Sequence, residues 1–232
     1  GHNSKCNPID AFSKIRRGWG WLGALGLVSV FLIMGYYFVI SGWTLNYTIA
    51  SATNSIGGNF GQFFTDFTTA TWKPLIFTYL FIIANHFIIV GGVQGGIEKA
   101  SKIMMPLLFV ILVALAIYSL WLPEGREALT NVFTPDFSMV TGKSFLAAMG
   151  QAFFTLSIGM GAMLIYGSYF KEGTKIAGTA ISVVSLDTIV ALMAAVIIFS
   201  AGVENESGPQ LAFVAMPKVF STMPMGGVWA TL

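Results

Sequence analysis

The chain has 232 residues, of which 55% are hydrophobic and 9% charged, with a mean hydropathy of +0.76 and a net charge of +2. Soluble domains carry about 25% charged residues, so a water-soluble globular enzyme is excluded. The small, dispersed positive charge excludes a nucleic-acid footprint, and the single cysteine, Cys6 in the polar N-terminal segment, excludes an internal disulfide framework.

Long uncharged stretches carry the hydropathy. No charge falls between Arg17 and Asp66, Lys73 and Glu98, Lys102 and Glu124, or Lys143 and Lys171, and Asp187 alone interrupts the run from Ile176 to Val203. Each run supplies the roughly 20 residues an α-helix needs to cross a bilayer. The reading is an all-α polytopic membrane protein with spans over 19–42, 73–94, 98–121, 145–170 and 176–200. With the N-terminus cytoplasmic, Lys5, Lys14, Arg16, Arg17, Lys99, Lys102, Lys171 and Lys175 fall inside and only Lys73, Arg126, Lys143 and Lys218 outside. That asymmetry sets the orientation, in a plasma or inner membrane. Between spans, 43–72 reads as a structured external loop and 122–144, with Pro123 and Pro135, as another. Residues 201–224, punctuated by Pro209, Pro217 and Pro224, read as a hairpin of short external helices. Residues 226–232 open a further span, and Gly1 begins without an initiator Met, so both ends read as cut from something larger. The triplets Asn46-Tyr47-Thr48 and Asn205-Glu206-Ser207 match the glycosylation pattern and carry no weight.

The fourth span holds the densest polar chemistry: Gln151, Thr155 and Ser157, then Gly159 and Gly161, at mid-membrane depth. Glycine serves close helix packing in membranes or marks a broken helix, which survives in lipid only where it lines a cavity. The accompanying amide and hydroxyls favour a polar site. Asp187 is the sole carboxylate inside a span and shares a face with Ala180, Ala191 and Ala194. Either it is protonated and hydrogen-bonded across a helix interface, or it serves an ion pathway. Ile33, Tyr37 and Ile40 share a helical face, and a buried phenol needs a partner. By spacing alone Tyr37 and His86 read as structural, and Met104, Met105, Met160 and Met163 as apolar filler. Gly96 and Pro106 bracket the start of the third span, where the missing proline N–H loosens the first turns.

The run GQAFFTLSIGMGAMLIYGSY, Gly150 to Tyr169, resembles the sixth helix of the neurotransmitter:sodium symporter family. Gly96-Ile97-Glu98-Lys99-Ala100-Ser101-Lys102-Ile103-Met104-Met105-Pro106 resembles the opening of its fifth, Tyr36-Tyr37 with Trp43 its third, and Leu186-Asp187 its seventh. The match extends from Asn7-Pro8 to Met223-Pro224. The resemblance implies helices three to seven, and the start of eight, of a twelve-helix, inverted-repeat (five-plus-five) carrier with a broken sixth helix. It implies an amino-acid substrate, sodium as the coupling ion and no other cofactor. It matches Tyr37 to the residue on the substrate carboxylate, Ile33, Ser157 and Met160 to pocket positions, and Phe154 to the lid. Thr155 matches a sodium ligand through its hydroxyl and carbonyl, and Asp187 the position where many members carry a sodium-coordinating asparagine. Gln151 joins Asp187 in ion coupling. Ser168 and Tyr169 match the cytoplasmic gate, and Gly96 with Pro106 a segment that unwinds for inward release.

Two departures sharpen this expectation. Chloride-dependent members place a serine one turn after 187, where Ala191 stands here. A carboxylate at 187 then supplies the charge that chloride supplies elsewhere, giving chloride-independent coupling, with proton exchange through Asp187 as an added option. Met160 stands where some relatives carry Phe, and a flexible thioether suits bulky apolar or aromatic amino acids. The absence of cysteines from 43–72 points to a bacterial member. Two rival readings stay open: a non-transporting fragment or packing subunit, and an intramembrane serine hydrolase with Ser157 as nucleophile and His86 as base. The latter lacks a Gly-x-Ser-x-Gly elbow, because position 155 is Thr. Sequence does not set the oligomeric state; a homodimer stays open.

Overall fold

Asn7 and Pro8 punctuate the start of the chain. In the computed structural model, the Asn7 side chain accepts from the Asp10 N–H at 2.9 Å and caps α1 (Pro8–Ile15), with proline in the first turn where no N–H is needed. The structure describes residues 5–122, 124–134, 136–171, 173–203, 206–223 and 226–231. Gly1, Pro123, Pro135, Glu204, Asn205, Pro224 and Leu232, which figure in the expectations above, lie outside them. After α1 come α2 (Gly20–Ala52), α3 (Phe60–Thr69), α4 (Lys73–Val90), a π-turn over Val93–Ile97, α5 (Glu98–Ser119), α6 (Gly125–Phe133), α7 (Gly142–Thr155), α8 (Ala162–Ser168) and α9 (Ile176–Ser200). Then α10 (Gly208–Gln210) runs through a second π-turn, Leu211–Ala215, into α11 (Met216–Thr222), and α12 (Gly226–Thr231) follows. No strand occurs among the described residues.

Four helical stretches are long and apolar enough to cross a membrane: 20–52, 73–90, 95–119 and 176–200. At most 11% of each is buried within the chain, so their apolar side chains face outward, as they do in a lipid environment. The fourth expected span, 145–170, is broken into two half-helices, α7 and α8, separated by residues 156–161. The third begins as expected at Glu98. The widening sits at the glycines before it, in the π-turn, while the helix continues unbroken through Pro106.

The loop expected over 43–72 is corrected: α2 runs on to Ala52, and α3 occupies 60–69. Gly42 does not end the helix because it serves close packing. A Cβ there would sit 2.6 Å from the Thr78 Cα on α4. The helix stops where Asn54 and Gly57 take left-handed backbone, with φ of 55° and 68°. The stretch 208–222 is one helix carrying a π-turn, which then packs against α12.

Contacts divide the chain into two compact units, residues 1–36 with 136–189, and residues 37–135 with 190–232. The second is organised by aromatic rings. Trp43 and Tyr47, one turn apart on α2, meet Phe213 of the second π-turn at centroid distances of 5.8 and 4.9 Å. Phe64 of α3 stacks on Phe213 at 6.2 Å and meets Trp43 edge-on at 5.7 Å. Such edge and offset pairs add to area burial, and Phe213 is buried. Phe213→Ala is expected to destabilise the protein by about 3–5 kcal/mol, read as a drop in the unfolding midpoint in detergent. A change within 0.5 kcal/mol, on the scale of an ordinary surface substitution, would show that the ring cluster does not hold this unit.

Candidate functional site

Thr141 and Ser144 form a reciprocal capping box that starts α7. Its other end is abrupt. Leu156 N–H donates to the Ala152 and Phe154 carbonyls, Ser157 N–H to Phe154 at 3.1 Å and Ile158 N–H to Phe153 at 2.9 Å. The backbone then turns through three left-handed residues, Ser157 at φ 53°, Gly159 at 85° and Gly161 at 78°. Glycine adopts that region without penalty, whereas Ser157 is held there at a cost of about 1 kcal/mol or more. Among the described residues no backbone N–H reaches the carbonyls of Thr155, Leu156, Ser157 or Ile158. A row of acceptors is therefore left over in the middle of an apolar helix pair, the arrangement tolerated only beside a cavity or a ligand.

Five of the sequence-predicted residues, Gln151, Phe154, Thr155, Ser157 and Met160, lie at or next to this break along the chain. Phe154 and Thr155 are the last residues of α7, with Gln151 one turn before Thr155, and Ser157 and Met160 lie half-buried in the turn. The α2 helix lies against it at Gly26, where a Cβ would sit 3.2 Å from the Met160 carbonyl carbon and 3.3 Å from the Gly161 nitrogen. Ile33, half-buried, and Tyr37 stand further along α2, one turn apart. Sequence reasoning missed Gly26; the available signal was its place in the small-residue row Gly20, Gly23 and Gly26 at three-residue spacing on α2.

Asp187 is half-buried on α9 and forms no hydrogen bond or ion pair with any described residue, Thr155 included. The interhelical hydrogen bond weighed for it is therefore not made among the described residues. Ser168 donates to the Ile165 carbonyl at 2.6 Å, which ties its hydroxyl to its own helix, and Tyr169 is exposed. Among the described residues no three His, Cys, Asp or Glu side chains gather as a transition-metal cluster. The donor set at the break is instead carbonyl and hydroxyl oxygen, which suits a hard cation. A separate cavity of about 1000 Å³ in the second unit is lined by Phe64, Glu124, Ser200, Gln210 and Lys218 among others, and by none of the predicted site residues.

The model of the Sodium:neurotransmitter symporter family matches residues 59–232. The chain belongs to that family. It is 34% identical over 254 residues to an uncharacterized sodium-dependent transporter of Haemophilus influenzae, covering 100% of this chain and 55% of that protein. It is 35% identical over 236 residues to the uncharacterized sodium-dependent transporter YhdH of Bacillus subtilis, covering 97% of this chain and 52% of the relative. The crystal structure of MhsT in complex with L-phenylalanine is similar with a TM-score of 0.90 and 40% identity, over 100% of this chain and 55% of MhsT. The chain thus spans about half the length of the relatives it matches. As a symporter-family chain it is an all-α, multi-pass membrane protein and part of that family's inverted-repeat fold, its sixth helix broken as the resemblance implied.

The break makes a backbone-level forecast for this family member. Gly159→Ala places a Cβ on a residue at φ 85° and is expected to cost about 1–2 kcal/mol, whereas Ser157→Gly relieves the same strain and leaves stability equal or higher. Thermal unfolding of the two variants checks this; an Ala at 159 that costs nothing would mean that the left-handed turn is not needed.

Proposed function

We propose that the intact protein is a sodium-coupled symporter of amino acids, hydrophobic or aromatic ones in particular, and not an enzyme. The carrying observation is the α7–α8 break. Among the described residues the carbonyls of Thr155 to Ile158 accept from no backbone N–H, and the hydroxyls of Thr155 and Ser157 stand beside them, in a chain of a family named for sodium symport. Supporting the substrate class, MhsT was solved with L-phenylalanine.

In this reading Thr155, through hydroxyl and carbonyl, and Asp187 hold a sodium ion, with Gln151 beside them. Tyr37 takes the substrate carboxylate, Ile33, Ser157 and Met160 line its side chain, and Phe154 covers it. Filling the site satisfies the stranded carbonyls, so the ion and the substrate stabilise one arrangement of the half-helices over another, which is what coupling requires. The inner gate is Ser168 with Tyr169, and release is assisted by unwinding of the segment from Gly96 to Pro106, which follows directly from the π-turn at Val93–Ile97. The N-terminal segment faces the cytoplasm across a plasma or inner membrane, the bilayer being its one obligatory partner, and Asp187 makes coupling chloride-independent.

The test is uptake of labelled phenylalanine, leucine and tryptophan by the complete polypeptide in proteoliposomes under an inward sodium gradient. Uptake is expected only with sodium, equally in chloride and gluconate, and to fall at least tenfold in Thr155→Ala, the loss of about 1.4 kcal/mol or more of ion binding. Uptake indifferent to sodium sinks the proposal. Uptake that requires chloride and persists in Asp187→Asn sinks the role given to Asp187 alone.

A further inference from the structure

Pro8 is among the few side chains with under 2% exposure, although it begins a helix at the edge of the chain. Two contacts bury it. On one side α2 approaches so closely at Gly23 that a Cβ there would meet the Pro8 carbonyl at 2.5 Å. On the other, the Pro8 ring lies 3.5–3.6 Å from where a Cβ of Gly161 would be, against the left-handed residue from which α8 starts. Three residues earlier, the Lys5 ammonium donates to the carbonyl of Phe170 at 2.5 Å, just beyond the other end of α8. Phe170 follows the C-cap residue Tyr169, so the lysine braces the chain where it leaves the half-helix.

Residues 5–8 therefore touch both ends of the half-helix. Their own footing is firm: Lys14 Nζ donates to Cys6 Sγ at 2.8 Å, and the Asn7 amide donates to Asp10 Oδ2 at 2.8 Å besides capping α1. Lys5 itself takes a left-handed φ of 48°, a conformation that a non-glycine residue holds only where its surroundings fix it.

We propose that Lys5–Pro8 is a strap that pins α8 to the start of α2, and that Lys5 and Pro8 are positioning residues setting how readily the half-helix moves. The hold is a property of the fold; its bearing on transport rests on the function proposed above. It is tested by backbone hydrogen exchange of the complete polypeptide in lipid nanodiscs. In Lys5→Ala the amides of 162–170 are expected to exchange about tenfold faster, those of 176–189 to be unchanged, and Lys5→Arg to keep the slow rate. Pro8→Ala is expected to act at 157–163. Unchanged exchange at 162–170 in Lys5→Ala, or equal acceleration over 176–189, would falsify the strap. Because Lys5 is exposed, its variants decide the matter even if Pro8→Ala fails to fold. Uptake by the same samples separates the two ideas. An unaltered protein without sodium-driven uptake overturns the transport reading and leaves the exchange result to decide the strap. Where uptake is present, Lys5→Ala is expected to change its maximal rate at least threefold with little change in the half-saturating concentration; an unchanged maximal rate overturns the strap's bearing on transport.

Discussion

A peptide group in hydrocarbon has nowhere to send its hydrogen bond except back into the chain. Each group left over costs several kcal/mol, more than any single side-chain contact in this molecule returns. The long helices α2, α4 and α9 meet that constraint without interruption, and α5 does so except at Pro106, which has no N–H to give. The stretch 156–161 does not, and three left-handed residues keep it from doing so. Gly159 and Gly161 hold left-handed backbone that a side chain there would strain. The open arrangement is therefore set by the residues present, and what surrounds it follows. Gly26 must be small for α2 to lie on exposed backbone, and the polar side chains must stand where the carbonyls are bare.

The second unit handles irregular backbone differently. Its two π-turns, Val93–Ile97 and Leu211–Ala215, widen the helix and run directly into α5 and α11, with Glu98 N–H donating to the Val93 carbonyl and Met216 N–H to the Leu211 carbonyl. The second of them has Phe213 at its centre, and the rings of Trp43, Tyr47 and Phe64 close on it. Rigid aromatic packing there and bare carbonyls in the other unit are two uses of local helix irregularity, one to hold and one to bind.

What the sequence made legible follows from range. The helix over 176–200 and the break in 145–170 were readable because hydropathy, glycine placement and hydroxyl content are local. The extension of α2 to Ala52 was not, since Gly42 carries the same letter whether it ends a helix or admits a neighbour at Thr78. A one-residue insertion into helical hydrogen bonding leaves a 3.6-residue periodicity almost intact, so the π-turns left no trace in the pattern. The contact between Lys5 and Phe170 joins residues 165 positions apart, and no local signal announces it. The polar residues of the candidate site were legible as residue types around Thr155; the close approach of Gly26 to Met160 was not.

Asp187 and the bare carbonyls pose the same electrostatic problem in different forms. An unpaired carboxylate within an apolar span costs about 2.5–3.5 kcal/mol on insertion scales, and protonation answers it by removing the charge. Protonation does nothing for the oxygens of Thr155 to Ile158, which are acceptors in want of positive potential whatever the state of the acid. A water molecule supplies two donors, too few for four carbonyls. A small hard cation coordinates several oxygens at once. A hard cation therefore meets the need of these carbonyls that a proton on Asp187 leaves unmet, which is the physical ground of the ion site proposed above.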